Sequence, residues 1–134
     1  MVKVGECLVP IPETVLTRLI ERMGPLDREY LVQFCLDAEG RALCSRVLGG
    51  EEGGSLNTGF RTLIAQALAC GASSLIIVHN HPSGDARPSS ADVCSTLHLQ
   101  ALARPLELNI FDHVVVSRRA AFSMRQAGLL NRDA

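Results

Sequence analysis

Two histidines and an aspartate with the spacing of a metal site form the most informative stretch of this sequence. His79 and His81 flank a single residue, and Asp92 follows further along the chain. Along an extended strand alternate side chains point the same way, so both imidazoles can contact one cation. Two His and one Asp are three ligands for Zn²⁺ and leave a fourth position open to water, as in catalytic zinc sites. The residues therefore predict a zinc-dependent hydrolase.

The elements around these residues can bring the three ligands together. Residues 75–78 form a short apolar run that predicts a buried strand over 74–79, and Pro82 prevents the strand from continuing. Ser89 is the expected N-cap of a helix over about residues 89–103, which places Asp92 in the first turn. The ligands would then lie at the carboxyl end of a strand, where α/β sheets usually place their chemistry.

Simpler interpretations of the same residues exist. A histidine is more often a surface or core residue than a metal ligand, and Ser89 with Asp92 is also the pattern of a helix capping box. Asn80 between two histidines suggests a His-Asn-His nuclease, but those enzymes spread their residues over a longer motif. The combination of all these residues at one strand-to-helix junction favours the metal site.

The full pattern resembles the JAMM motif of the MPN/JAB-domain metalloproteases, in which an upstream Glu is followed by His-x-His and, at fixed spacing, by Ser and Asp. His79, His81, Ser89 and Asp92 match those positions, and residues 78–85 are similar to the RadC-like branch in particular. The resemblance covers about residues 26–130. It implies Zn²⁺ as the cofactor and hydrolysis of an amide bond as the reaction.

The resemblance also implies an α/β fold, with a mixed sheet flanked by helices in one MPN/JAB-like domain of the cytidine-deaminase-like class. We expect this domain over residues 26–134, preceded by an N-terminal helical extension over residues 1–25. Alternating strands and helices beside hairpins independently favour a mixed sheet. The patterns predict further elements: a helix ending at Gly24, a helix from Phe60 to Gly71, strands at 30–36, 41–48, 106–111, 113–117 and 120–123, and a helical turn at 124–130.

Catalytic roles follow from the resemblance. It implies that Glu29 is the general base and that Ser89 stabilises the oxyanion of the intermediate. Three other acids compete with Glu29: Glu39 falls in a predicted hairpin turn, and Glu51 and Glu52 fall in a glycine-rich loop. We rank all three below Glu29.

Asp112 and His113 precede a late predicted strand. Residues in such positions are more often structural, and the alternative is that one of them orients a metal ligand.

The implied substrate is a peptide or protein tail, for example a ubiquitin-like tail, extended beside a sheet edge. Two other functions stay open: a DNA-repair-associated accessory protein, and a zinc-binding interaction module without catalysis. Direct nucleic-acid binding is not expected, because the net charge is −1 and the chain has one Tyr and no Trp.

Composition fits an ordered cytoplasmic domain. The chain has 134 residues, of which 47% are hydrophobic, and no apolar run approaches the length of a membrane span. The cysteines have no Cys-x-x-Cys spacing and are expected to be reduced, buried, small hydrophobic residues. They are Cys7, Cys35, Cys44, Cys70 and Cys94.

Overall fold

A computed structural model describes residues 2–49 and 59–131 of the chain as one mixed sheet with helices on both faces. The helices are α1 (Glu13–Met23), α2 (Phe60–Ala69) and α3 (Ser90–Ala103), and the strands are β1 (Tyr30–Leu36), β2 (Ala42–Gly49), β3 (Ser74–Asn80), β4 (Asn109–Val116) and β5 (Ala121–Ser123). The predicted α/β class with a mixed sheet is confirmed. None of the helices in these two ranges has both the length and the apolar character needed to cross a bilayer.

The five strands lie in the order β2-β1-β3-β4-β5. Only β3 and β4 are parallel, and the other neighbouring pairs are antiparallel. A parallel pair needs a crossover connection, which α3 supplies between β3 and β4. The central position of β3 explains its continuous apolar run, because both faces of this strand are covered.

Alternate residues of β3 enter two separate cores. Ile76 and Val78 pack on the face that carries α1, whereas Leu75 and Ile77 pack on the face that carries α2 and α3. The same alternation places His79 on the α2/α3 face and Asn80 on the α1 face. The side chains of the adjacent residues His79 and Asn80 therefore lie on opposite faces of the sheet.

The register between β1 and β3 determines what faces the end of β3. Leu31 pairs with His79 in this antiparallel ladder. Counting outward from that pair, Glu29 lies across from His81. Both side chains lie on the same face of the sheet as those of Leu31 and His79. The sequence alone does not give this register.

The prediction of two separate strands near the C-terminus is wrong, and the helical turn predicted after them is shorter than expected. Residues 106–111 and 113–117 are not two strands, because β4 runs unbroken through a β-bulge at Phe111. The bulge shifts the side-chain alternation and so imitates a break in the pattern. Residues 124–128 form a single turn in which the Ala127 N–H donates to the Ser123 carbonyl four residues earlier, and Gly128 ends it at a φ of 75°.

The prediction that the cysteines are buried is correct only for Cys35. Cys44 and Cys70 are half-buried, and Cys7 and Cys94 are exposed. Cys94 lies on a solvent-facing position of α3, where hydrophobic residue types alone do not show which side is covered.

The end of α1 packs so closely against the turn after β4 that residue 24 must lack a side chain. A Cβ at Gly24 would lie 2.3 Å from the carbonyl oxygen of Ser117 and 2.5 Å from that of Ile20. Both are backbone atoms and cannot rotate away. We therefore expect Gly24→Ala to lower the free energy of unfolding by roughly 1–3 kcal/mol, measured by denaturant titration. Gly59→Ala is the control, because among the described residues no atom outside its chain neighbours lies within 4 Å of its Cβ position; an equal loss in both variants would contradict the packing argument.

Candidate metal centre

The three side chains predicted as metal ligands converge at the carboxyl end of β3. The Nε2 atoms of His79 and His81 are 2.9 Å apart. The Oδ2 atom of Asp92 lies 3.6 Å from the first and 3.2 Å from the second. Tetrahedral ligands about 2.0–2.1 Å from zinc are separated from each other by roughly 3.3 Å. All three atoms can therefore contact one such ion.

The loop between β3 and α3 brings the start of α3 back to the carboxyl end of β3. The backbone N–H of His81 donates to the carbonyl of Val116 at 2.8 Å, which extends the parallel ladder one residue past β3. A turn then closes with a hydrogen bond from the Gly84 N–H to the His81 carbonyl. Pro82 cannot donate to a ladder, so the strand ends there.

The capping box and the predicted metal-ligand position, which are alternatives in the sequence, are compatible in the structure. The Asp92 N–H donates to Ser89 Oγ at 3.0 Å, and the Ser89 N–H donates to Asp92 Oδ2 at 2.8 Å. That Oδ2 atom is the same one that faces the two imidazoles. The start of α3 thus holds the carboxylate in place.

Asp92 carries its negative charge at neutral pH. Burial disfavours the charged form, but the nearby His79 ring and the hydrogen bond from the Ser89 backbone N–H outweigh it and hold the pKa of Asp92 well below its usual range. The carboxylate is therefore ready to bind a cation.

His81 is held with its Nε2 lone pair toward Asp92. Its Nδ1 lies 2.9 Å from the carbonyl oxygen of Asp85. A carbonyl only accepts, so Nδ1 carries the proton and Nε2 is left with a lone pair in the neutral ring.

His79 is held by a longer chain of hydrogen bonds. Its Nδ1 lies 2.6 Å from Nε2 of His113, and Nδ1 of His113 lies 2.6 Å from the hydroxyl of Thr96. That hydroxyl donates to the backbone carbonyl of Asp92 at 2.8 Å. These hydrogen bonds therefore connect the side chain of one predicted ligand, His79, to the backbone of another, Asp92.

The donors and acceptors in this series of hydrogen bonds are determined by Thr96, at its far end. Thr96 has one hydroxyl proton and gives it to the Asp92 carbonyl, so it accepts from Nδ1 of His113. Burial and the neighbouring His79 lower the pKa of His113 to about 3, which keeps this ring neutral. Its Nε2 then accepts from Nδ1 of His79, and Nε2 of His79 keeps its lone pair.

The donor set fits a zinc ion. Two imidazole lone pairs and one carboxylate oxygen point at a common place, and they repel each other unless a positive charge lies between them. Metal-ligating histidines usually donate the other ring N–H to a carbonyl or a second side chain, as His79 and His81 both do. Nitrogen and oxygen donors in this number suit Zn²⁺ with one position left open.

Glu29 lies beside the two histidines. One of its carboxylate oxygens and a ring nitrogen of each of His79 and His81 are all within 4.8 Å of one another, and Glu29 is exposed. Glu39 follows the far end of β1, where its N–H donates to Asp37, so the length of the strand separates it from the site. Glu51 and Glu52 lie outside the described residues.

Asn80 holds the backbone on both sides of Glu29. Its Oδ1 accepts from the Tyr30 N–H at 2.7 Å, and its Nδ2 donates to the Arg28 carbonyl at 2.8 Å. The side chain is fully buried. The sequence gives one weak signal of this role: Asn80 follows a predicted ligand and must point to the opposite face.

Asp112 and His113 have different surroundings, although they are adjacent. Asp112 accepts from the Ser123 hydroxyl at 2.5 Å and from the Arg125 N–H at 3.0 Å. Burial raises the pKa of Asp112, and these bonds hold the turn after β5. Only His113 faces the metal centre.

Comparisons with known proteins agree with the motif. A family model described as the RadC-like JAB domain matches residues 9–129. A UPF0758 protein of Thermotoga maritima is 37% identical over 116 residues, which cover 82% of this chain and 50% of that protein. UPF0758 proteins of Leptothrix cholodnii and Caldanaerobacter subterraneus are 34% and 33% identical and are covered over 54% and 52% of their length. The chain thus spans about half the length of these curated relatives.

The hydrogen-bond chain behind His79 predicts a variant that binds zinc more weakly without losing a ligand. His113→Phe removes the acceptor of the His79 Nδ1 proton, so the ring can turn or change tautomer. We expect Zn²⁺ affinity to fall roughly 10–100-fold, measured by competition with a chromogenic chelator. Thr96→Val, which breaks the next link, should have a smaller effect of the same sign. His98→Phe is the matched control, because His98 is exposed on α3, and unchanged affinity in His113→Phe would contradict the proposed role.

Asn80→Ala should lower stability and leave Zn²⁺ affinity nearly unchanged. The substitution removes the part-buried hydrogen bonds that Asn80 makes with the Tyr30 N–H and the Arg28 carbonyl, which costs roughly 0.5–1.5 kcal/mol for each bond. The ligands themselves lie on the other face of β3. Denaturant titration measures the first effect and chelator competition the second. A loss of affinity as large as that of His113→Phe would show that the two faces are not independent.

Proposed function

The chain belongs to the RadC-like JAB domain family, and from this membership we propose that it is a zinc-dependent hydrolase of peptide or isopeptide bonds. The observation that carries the proposal is the convergence of His79 Nε2, His81 Nε2 and Asp92 Oδ2 beside the carboxylate of Glu29. A site with three protein ligands and an acid next to it is the arrangement of a catalytic rather than a structural zinc centre.

Zn²⁺ bound by these three residues would supply Lewis acidity and lower the pKa of a bound water to about 7. Glu29 is the general base in this proposal. It accepts the proton of the attacking water and transfers it to the leaving amine. Its exposed position lets it reach both the water and the substrate.

Ser89 is the residue proposed to stabilise the oxyanion. Its hydroxyl accepts the Asp92 N–H in the capping box and keeps its own proton for a further bond. One donor of this kind contributes roughly 2.7–4 kcal/mol to transition-state stabilisation in well-studied enzymes.

The site is open enough for a macromolecular substrate. The side chains of His79, His81 and Asp92 are 11%, 15% and 22% exposed, and Glu29 is exposed at the rim. An extended peptide or protein tail, such as a ubiquitin-like tail, can lay its scissile carbonyl across such a surface. We propose this class of substrate, held by main-chain hydrogen bonds as extended peptides commonly are.

Two substitutions separate metal binding from catalysis. Glu29→Gln should retain zinc and lower the cleavage rate roughly 10²–10⁴-fold, because it removes only the base. His81→Ala should lose both zinc and activity. The measurements are zinc per chain and cleavage of peptide and isopeptide panels, with and without chelator. Glu39→Gln and His98→Ala are the matched controls and should resemble the parent.

The outcomes distinguish the proposal from its alternatives. Cleavage by the parent that a chelator abolishes and Zn²⁺ restores would support it. Zinc binding without cleavage of any panel member would indicate an interaction module instead. Parental activity in Glu29→Gln would show that the base is another residue.

A further inference from the structure

Three cysteine side chains meet between β1, β2 and the end of α2. Cys35 and Cys44 are direct cross-strand partners, and Cys70 is the residue that ends α2. Their sulfur atoms all lie within 4.8 Å of one another. Cys35 also pairs with Leu75, four residues before His79 on β3, so this cysteine cluster lies roughly 13 Å along the strand from the histidines.

A β-bulge in β2 and the end of α2 orient the cysteine side chains toward each other. Cys35 pairs with Cys44, but Leu36 pairs with Ala42, so Leu43 is the extra residue of a β-bulge. Bulges re-aim the side chains next to them. On α2, the Cys70 thiol contacts the Ala67 carbonyl at 3.6 Å, which orients it at the helix end.

Cys44 has polar neighbours that favour a thiolate. Its sulfur accepts a hydrogen bond from Gln66 Nε2 at 3.4 Å, and Gln66 Oε1 accepts from the Arg46 guanidinium at 3.3 Å. Arg46 thereby brings positive charge toward an otherwise apolar cluster.

We propose that Cys35, Cys44 and Cys70 form a second metal site, independent of the histidine centre, that binds a soft cation of the Cu(I) type. The donors are all sulfur, which selects soft d¹⁰ ions over Mg²⁺ or Ca²⁺. Three sulfurs complete a trigonal Cu(I) shell, and a metal–sulfur distance of about 2.3 Å would space them by roughly 4 Å. A structural Zn²⁺ site of cysteines takes four protein ligands, and the group of described side chains holds three.

The three cysteines differ in burial and so have different roles in the proposed site. Cys35 is fully buried and fixes the inner wall of the site, whereas Cys44 and Cys70 are half-buried and give the ion access from solvent. Each thiol that becomes a ligand releases its proton to water, and copper stays in the +1 state throughout. This proposal does not depend on the function of the histidine centre.

The test is a Cu(I) titration of the full chain, kept reduced and anaerobic with one equivalent of Zn²⁺ present, against a chromogenic Cu(I) chelator. We expect one tightly bound Cu(I) per chain in the parent. Cys44→Ser and Cys70→Ser should each lose the tight site. Cys7→Ser and Cys94→Ser should keep it, because both residues are exposed and lie outside the cluster.

His81→Ala, which should also keep the tight Cu(I), separates the cysteine cluster from the histidine centre. Circular dichroism checks that the serine variants are folded, and X-ray absorption at the copper edge should show a shell of sulfur neighbours only. Parental Cu(I) binding in folded Cys44→Ser and Cys70→Ser would overturn the proposal. So would loss of Cu(I) in His81→Ala, or nitrogen neighbours around the copper.

Discussion

The direction in which hydrogen bonds run behind His79 decides what this end of the sheet can bind. Neutral His79 offers a lone pair at Nε2 only if its proton is on Nδ1, and the neutral ring of His113 accepts a hydrogen bond from that Nδ1–H. Thr96, one turn after Asp92 on α3, closes the series at the Asp92 carbonyl. A helix and two strands thereby fix one tautomer. The ligand set depends on this buried polar series as much as on the ligands themselves.

A second constraint is the antiparallel register of β1 and β3. It brings the beginning of one strand to the end of the other, and so an acid distant in sequence lies next to the imidazoles. Asn80 secures this approach from the opposite face by bonding to the backbone before and after Glu29. The two faces of β3 therefore have different roles: one orients the histidines predicted as ligands, and the other positions Glu29.

Much of this arrangement can be predicted from sequence, because spacing within one segment determines it. His79, His81 and Asp92 lie on a strand, its loop and the next helix turn, and short connections allow few alternatives. Contacts between distant segments, such as Thr96 with His113, need the register and helix packing and so were not predictable. The β-bulge at Phe111 was not predictable for the same reason. One extra residue reverses the alternation of side chains between the two faces, so β4 was predicted as two strands. Residue type also failed to show that three of the cysteines converge.

Asp92 belongs to the capping box of α3, and this has a consequence for how the centre assembles. The bonds between Ser89 and Asp92 stabilise the first turn of the helix whether or not an ion is present. The carboxylate is thus immobilised by folding itself, and little conformational entropy remains to be lost on loading. A centre preorganised in this way can exchange its ion without disturbing the scaffold, so occupancy would follow the supply of metal rather than the folding history of the chain.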